Sequence, residues 1–281
     1  MKTSIHIEDL RLLDEALKSN CDIVRVGSEF CEYLLPGEDT LKDACDIVHG
    51  AGKEFIYVTP RLSNAGIEKV RDQLAFLNER ENVGVVFNDL GTLNVLRSFA
   101  NLRPRLGRLL IRVPARSPFT ERLAKEGFIQ TRKNGSDIKI TRGNTLAKKW
   151  YEELFSYTSL DYLPTIDFFK AYGVRDVDVD WIPRTFDRLG SLIENGLNLS
   201  VHLNLLPIAV TRKCHTARFL GEEHPDECSK PCLEHVFMLR SKLVGVEFLL
   251  QGNAIFTFAR PSEKYLKRLR EIHVAELVYS A

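Results

Sequence analysis

Short apolar segments alternate with amphipathic segments along most of this chain, at a spacing of about 25–30 residues. The apolar segments predict strands, which we place at Ser4–Ile7, Asp22–Gly27, Glu54–Pro60, Asn82–Asn88, Arg108–Pro114, Asp176–Trp181, Leu197–Asn204 and Leu249–Phe258. Strands that are apolar almost throughout and are separated by helices are typical of a parallel sheet covered on both faces. We therefore expect an α/β fold with a parallel βα (TIM-like) barrel, regular or irregular. A doubly wound open sheet is the alternative.

One stretch interrupts this alternation, at about residues 116–160. Within it, the segment Thr131–Asn144 is polar, basic and contains glycine. We interpret the stretch as a polar excursion from one barrel-like domain that spans residues 1–281. Its basic residues predict a solvated face. Contact with phosphate or RNA is the less favoured interpretation, because no aromatic residues lie closely among them.

The composition excludes several classes of protein. Hydrophobic residues make up 44% of the 281 residues and charged residues 27%, which is ordinary for a soluble globular protein. A net charge of +1 gives no electrostatic reason to expect binding to nucleic acid or anionic lipid. The first residues lack the apolar core of a signal peptide, and no apolar run reaches the length of a membrane span. We expect a cytoplasmic protein without a disulfide framework.

A cysteine-rich loop, Thr211–Cys232, is the strongest functional signal in the sequence. It contains Cys214, Cys228 and Cys232, spaced as C-x13-C-x3-C, among charged and turn-forming residues. Structural cysteines are usually found within apolar runs, whereas these three lie among charged and turn-forming residues. Thiolates on an irregular loop can converge on one centre, which is the arrangement that a soft metal or an iron–sulfur cluster requires.

A fourth thiol follows the second predicted strand. Functional groups of a parallel barrel gather at the carboxyl ends of its strands, and this rule places Cys31 on the same side as the cysteine loop. Four thiolates suit either zinc or a [4Fe–4S] cluster, although the spacing lacks the C-x2-C knuckle of many zinc sites. Cys21 and Cys45 are expected to pack in the core, because one precedes a strand at its opposite end and the other lies within a helix.

The same rule selects candidate substrate-binding residues. Glu29, Asp89, Arg112 and Asp180 lie at or near the ends of predicted strands. Arg218 follows Cys214 by four residues and is suited either to bind a carboxylate or to form a surface salt bridge. We expect a small-molecule substrate. No nucleophile elbow, phosphate-binding loop or dinucleotide-binding motif is present, so no catalytic residue is assigned.

Two segments resemble a known family. The sequence CHTARFLGEEHPDEC, followed by Cys232, is similar to the cysteine loop of the collagenase-like peptidase family (peptidase U32 type), which has the form C-x-T-A-R … D-E-C-x3-C. The segment VRVGSEFC, Val24–Cys31, resembles the family's hydrophobic-G-E-x-x-C segment, with Ser28 inserted after Gly27. The lead into the loop, LNLLPIAVTRKC, also occupies the family's position.

The resemblance implies a barrel with a [4Fe–4S] cluster on Cys31, Cys214, Cys228 and Cys232. It also implies a part in oxygen-independent hydroxylation in bacterial ubiquinone synthesis, as a heterodimer with a paralogue of the same family. Other relatives hydroxylate RNA bases, with prephenate implicated as the hydroxyl source. The alternatives are a hydrolase of peptidase type and a non-catalytic zinc or iron–sulfur subunit.

Overall fold

Eight parallel strands form a closed barrel. We describe it from a computed structural model for residues 1–116, 128–131, 138–141, 149, 153–222, 228–242 and 245–281. The barrel strands are β1 (Lys2–Ile7), β2 (Ile23–Gly27), β3 (Glu54–Val58), β4 (Val83–Phe87), β5 (Arg103–Leu106), β8 (Asp176–Asp180), β9 (Asn198–His202) and β14 (Glu276–Ser280). Their order around the barrel is β1-β14-β9-β8-β5-β4-β3-β2. The predicted parallel barrel is confirmed, and the open sheet is excluded because β1 pairs with both β2 and β14.

Amphipathic helices cover the outside of the barrel. They are α1 (Leu13–Lys18), α2 (Glu38–Gly50), α3 (Asn64–Leu77), α4 (Leu90–Leu96), α5 (Leu163–Ala171), α6 (Phe186–Glu194) and α8 (Glu263–Glu271). The main core lies between them and the strands, where side chains such as Leu74, Phe55 and Val85 are fully buried. Among the described residues, every helix is too short or too polar to cross a membrane.

The inside of the barrel is divided between apolar and charged residues. Ile23, Ile56, Val58 and Val86 form a separate apolar cluster on β2, β3 and β4. The other strands contribute charged and polar residues, among them Asp178 on β8. Side chains alternate between the two faces of a strand, so a barrel strand carries one residue inwards for each residue that packs against a helix.

A second, antiparallel sheet lies between β9 and β14 in the chain. It consists of β10 (Leu205–Val210), β11 (Phe237–Arg240), β12 (Glu247–Gln251) and β13 (Ala254–Phe258), in the order β10-β13-β12-β11. The short helix α7 (His215–Phe219) follows β10. The prediction of one strand at Leu249–Phe258 is wrong, because the Gln251–Asn253 segment turns and the two halves pair as a hairpin outside the barrel. The closing strand of the barrel is β14, which the sequence analysis missed.

The predicted fifth strand, Arg108–Pro114, is also wrong. The strand is Arg103–Leu106, and Arg108–Leu110 forms a 3-10 turn after it. β5 then pairs directly with β8, through Arg105 and Asp176. Between them, the backbone of β6 (Phe128–Thr131) and β7 (Ile138–Thr141) pairs as an antiparallel hairpin. Most of the predicted 116–160 excursion lies outside the described residues, as do most of its basic side chains; Lys149 is described and is exposed.

Candidate metal centre

The four predicted thiols come together at the carboxyl-terminal mouth of the barrel. Cys31 begins the 3-10 turn Glu32–Leu34 after β2, Cys214 precedes α7, and Cys232 lies in a second 3-10 turn. The sulfur atoms are near enough to interact electrostatically. Cys214 and Cys228 each raise the pKa of Cys31, and Cys31, Cys214 and Cys228 all raise the pKa of Cys232. All six cysteines are free thiols.

Burial is the main reason that the thiols of Cys31 and Cys232 resist ionisation. It raises the pKa of Cys31 to about 11 and that of Cys232 to about 12, with the neighbouring sulfurs adding to the effect. Backbone N–H groups oppose it, since those of Tyr33 and Leu34 lower the pKa of Cys31. The N–H of Ala217 similarly donates to Sγ of Cys214 at 3.3 Å. Crowded sulfurs that receive N–H donors become stable thiolates when positive charge is bound among them.

The spacing of the sulfurs is also informative. Among the described residues, the only trio of candidate ligand atoms within 4.8 Å of one another is that of Glu29, Asp178 and His202. No three of the four sulfurs are therefore that close together. The remaining two cysteines behave as packing residues: Cys21 and Cys45 are 7% and 0% exposed within the core.

A cavity of about 110 Å³ adjoins the cysteine group. Phe30 and Leu233, the neighbours of Cys31 and Cys232, line it together with an apolar wall that includes Phe256. The rings of Phe30 and Phe256 meet edge to face, with centroids 5.1 Å apart. Charged and polar residues form the rest of the lining, among them His6, Glu8, Asp9, Glu29 and Arg108.

The carboxyl group of Glu8 has a pKa close to neutral pH. Burial raises its pKa from 4.5 to about 7, against hydrogen bonds from the Ser28 hydroxyl and the Glu29 N–H that favour the charged form. The Ser28 hydroxyl donates to Oε1 of Glu8 at 2.8 Å and accepts the N–H of Cys31 at 3.2 Å. Ser28 therefore connects the cavity wall with the first cysteine.

Arg108 organises the charged side of the cavity. Its guanidinium is 1% exposed and donates to Oε2 of Glu29 at 2.6 Å and to Oδ1 of Asp180 at 2.9 Å. Arg116 also binds Asp180, through its Nε. The structure thus brings together two of the predicted substrate-binding residues, Glu29 and Asp180. Burial disfavours the charged form of both carboxylates. Arg108 and the residues around it nevertheless keep the pKa values of Glu29 and Asp180 below the usual range.

A second buried ion-pair layer lies deeper in the barrel. Arg25 donates to Asp178 at 2.6 Å and pairs with Glu276 at 2.7 Å. His202 contacts Asp178 through Nε2 at 3.1 Å, while its Nδ1 has no hydrogen-bond partner among the described residues. Asp178, like Glu29, already neutralises a buried guanidinium. The trio of Glu29, Asp178 and His202 is therefore part of a compensated ion-pair network rather than a cation site.

The other three predicted substrate-binding residues lie away from this network. Asp89 caps α4, where it accepts the N–H and the hydroxyl of Thr92 at 2.7 and 2.9 Å. Arg112 is exposed, because the chain has left the strand before it. Arg218 is exposed on α7 and does not line the cavity. None of the three is brought to the charged wall, and a role for them in substrate binding stays a prediction.

Sequence reasoning selected Glu29 but missed the other charged and polar residues that build this wall, above all Arg108. Two glycines in the sequence are the signal that could have located these residues. Gly27 has φ +121°, and a Cβ there would lie 2.2 Å from the carbonyl oxygen of Val58. A Cβ on Gly107 would lie 2.1 Å from Oδ1 of Asn88. Glycine is thus required at both positions, immediately before Ser28 and Arg108, where the chain leaves the barrel.

Comparison with known proteins gives structural similarity only. No protein-family model matches the sequence, and no curated protein matches it. The U32 peptidase Mk0906 superposes with a TM-score of 0.46 at 15% identity, over 100% of this chain and 93% of that protein. A dihydropteroate synthase from Anaplasma phagocytophilum gives 0.46 at 12% identity, over 99% and 94%. One from Thermus thermophilus gives 0.43 at 11%, over 99% and 88%. At these values the similarities do not assign an activity, and the barrel rests on its strand pairing.

Proposed function

We propose that this chain is an iron–sulfur protein that takes part in oxygen-independent hydroxylation of a small molecule. One observation carries the proposal: thiols from residue 31 and from residues 214–232 meet beside a polar cavity at the mouth of the barrel. The ligands would be Cys31, Cys214, Cys228 and Cys232. The cysteine motif supports membership of the collagenase-like peptidase family, with a particular resemblance to the ubiquinone biosynthesis protein UbiV.

The spacing of the sulfurs favours a cluster over zinc. A tetrahedral zinc ion with bonds of about 2.3 Å would hold its four sulfurs about 3.8 Å apart. All four sulfurs belong to described residues, and no three of them lie within 4.8 Å of one another. A four-iron cluster takes one cysteine at each of four separate iron atoms, and so suits a wider set of thiols. Zinc is the alternative metal at this site.

The chain's own residues suit a hydroxylation site. When bound, a [4Fe–4S] cluster supplies one-electron transfer. The apolar wall of Phe30 and Phe256 would limit the access of water to a bound molecule. Glu8 is part protonated near neutral pH and can donate or accept a proton at the cavity. Arg108 holds Glu29 in one orientation, which fixes the position of the Glu29 carboxylate at the cavity.

Two further parts of the proposal follow from the resemblance alone. We propose a heterodimer with a paralogue, as UbiV forms with UbiU, and a cytoplasmic location. The alternative functions are those of a non-catalytic partner subunit and of an enzyme that hydroxylates RNA bases. A peptidase of this family would need an acid or a base at the barrel mouth; of the described candidates, Asp89 caps a helix and His202 is buried against Asp178, which gives the peptidase alternative no support.

The test is metal analysis of protein purified without oxygen. We expect iron and acid-labile sulfide in equal amounts, and an electron paramagnetic resonance signal of a four-iron cluster after reduction by dithionite. Cys228→Ala should abolish the signal, because a ligand is lost. Cys45→Ala is the matched control, a core cysteine that should leave the iron content unchanged. Zinc at one equivalent without iron, or equal loss of metal in both variants, would contradict the assignment.

A further inference from the structure

One tight turn contacts most of the cysteine-bearing segments. It consists of Gln251, the last residue of β12, and of Gly252 and Asn253, which connect β12 to β13 of the antiparallel sheet. None of the three carries a thiol, and none was selected by the sequence analysis. Gln251 and Gly252 nevertheless approach Cys232, and all three residues hydrogen-bond to chain segments next to the cysteines.

Asn253 joins the first cysteine segment to the second. Its side-chain amide donates to the carbonyl oxygen of Phe30 at 2.8 Å and to that of Thr211 at 2.8 Å. These acceptors are one residue before Cys31 and three before Cys214. The backbone strengthens the second connection, because the Thr211 N–H donates to the Asn253 carbonyl at 2.9 Å. Both N–H bonds of the amide are thus used, and Asn253 is only 9% exposed.

Gly252 and Gln251 hold the other segments. The Gly252 carbonyl accepts the N–H of His215 at 2.9 Å, and the Gly252 N–H donates to the Thr216 hydroxyl at 2.9 Å. These contacts fix the start of α7, where Cys214 lies. Gln251 donates through Nε2 to the carbonyl oxygen of Cys232 at 3.1 Å. A Cβ built on Gly252 would lie 3.7 Å from Sγ of Cys232, so the turn passes directly beside the thiol.

We propose that this turn is the positioning element of the cysteine group and that Asn253 is its central residue. It holds Cys31, Cys214 and Cys232 near one another independently of a bound group, because every contact is made by the protein itself. Cys228 lies outside the set, since none of the hydrogen bonds given above for the turn reaches the described residues of its segment. The identity of the bound group rests on the proposed function, whereas the positioning of the thiols does not.

The turn also forms part of the cavity wall. Gln251 lines the cavity, as do Phe30 and Leu233, which flank two of the cysteines. The same few residues therefore hold the thiols and face a molecule in the cavity. A displacement of the turn would alter both the thiol spacing and the edge of the cavity.

Asn253→Asp tests the proposal with almost no change of shape. It replaces the donor amide by a carboxylate oxygen, which would face two carbonyl oxygens and repel both. Asn204→Asp is the matched control. Asn204 also bridges two segments through its amide, donating to the Ser280 carbonyl at 2.6 Å and accepting the Ser280 N–H at 2.9 Å. Those segments carry no cysteine.

The first readout is the release of iron to a chelator from protein purified without oxygen. Loss of a residue that orients metal ligands typically lowers metal affinity about 10–100-fold, so we expect iron release from Asn253→Asp to be faster by about 10-fold or more. Asn204→Asp should match the unsubstituted protein. Unfolding midpoints are measured for both variants, so that a general loss of stability is distinguished from a local effect. Equal release rates in the two variants would overturn the proposal.

The second readout needs no cluster. A trivalent arsenical, phenylarsine oxide, bridges two neighbouring thiols, and its binding to metal-free protein is measured by the thiols that it protects from alkylation. We expect protection of Cys31, Cys214 or Cys232 in the unsubstituted protein and in Asn204→Asp, and its loss in Asn253→Asp. If the metal-free protein shows this protection but the unsubstituted protein purified without oxygen contains no iron, the cluster is refuted and the positioning role stands. Unchanged protection in Asn253→Asp would refute the positioning role.

Discussion

Replacing Glu8 with glutamine should stabilise the protein, and by an amount that grows with pH. The carboxyl group has a pKa of about 7 in the folded protein, against 4.5 in an unfolded chain, because burial disfavours its charge. Its contribution to stability is therefore fully present below pH 4.5 and is lost as the pH rises through 7. Glutamine keeps an oxygen that can accept the Ser28 hydroxyl, and it has no charge to desolvate.

The magnitude follows from the shift. At about 1.36 kcal/mol for each pKa unit, the change from 4.5 to about 7 amounts to about 3 kcal/mol above pH 7. Glu8 is only partly buried and faces the cavity, so water lowers the penalty and this figure is an upper limit. The Glu8→Gln variant should thus exceed the unsubstituted protein by up to about 3 kcal/mol at pH 8, by about 1 kcal/mol near pH 5.5, and by almost nothing at pH 4.

The assay is denaturant unfolding of both proteins at several pH values from 4 to 8. The difference between the two free energies of unfolding isolates Glu8, because every other group titrates in both proteins. Glu54→Gln is the control, a glutamate on β3 whose partner is the exposed Lys2. A difference that is independent of pH, or one that falls as the pH rises, would refute the reasoning.

Three further variants test buried groups by the same unfolding assay. The free energy of unfolding of His6→Gln should exceed that of the unsubstituted protein by about 2–3 kcal/mol at pH 4.5 and by little at pH 7.5. Burial lowers the pKa of His6 from 6.5 to about 4, so the unsubstituted protein loses stability as the pH falls through that interval. Arg108→Leu should lower the free energy of unfolding by about 3–5 kcal/mol, since it leaves the buried Glu29 without a cation and Asp180 with Arg116 alone, whereas Arg80→Leu, which breaks a solvent-accessible pair with Asp46, should have little effect. Thr216→Val should lose about 1–3 kcal/mol, because the N–H of Gly252 would lose its acceptor. Equal losses for the two arginine variants, or a neutral Thr216→Val, would contradict these assignments.

The barrel was predictable from sequence where its strands are apolar. β3 and β4 lie within the predicted segments, because Val, Ile and Phe on both strand faces indicate a strand covered from both sides. Cys31 was placed on the cysteine side by the rule that parallel strands end at one edge. The electrostatic coupling of its thiol to those of Cys214 and Cys228 agrees with that placement.

Prediction failed where the barrel interior is charged. β5 has the sequence RPRL, and its arginines and proline made the apolar RLLIRVP that follows look like the better strand. The inward side chain of Arg105 is tolerated because it donates to Glu276, more than 170 residues away in the chain. A partner so distant cannot be identified from local pattern. The alternation DVDVD in β8 and the arginine within IVRVG of β2 were local signs of a charged interior.

The cavity wall could not be derived for a related reason. Arg108 was assigned to a strand, whereas it lies in a 3-10 turn that begins after Gly107. Its role depends on Glu29 and Asp180, which belong to two other strand ends. The Gln251–Asn253 turn was hidden in the same way, because its residues lay in the middle of a predicted strand.

The pairing of β1 with β14 has a consequence for biosynthesis. Residues 2–6 form their ladder with residues 276–280, so the ring of strands cannot close until residues 276–280 have left the ribosome. Cys31 emerges long before the loop and the turn that are to hold it. Vectorial synthesis therefore leaves its thiol without the neighbours that it has in the finished barrel, and long-range closure of this kind is slow. A metal group can thus be held by all four thiols only after the whole stretch from Cys31 to the turn at Asn253 has been synthesised.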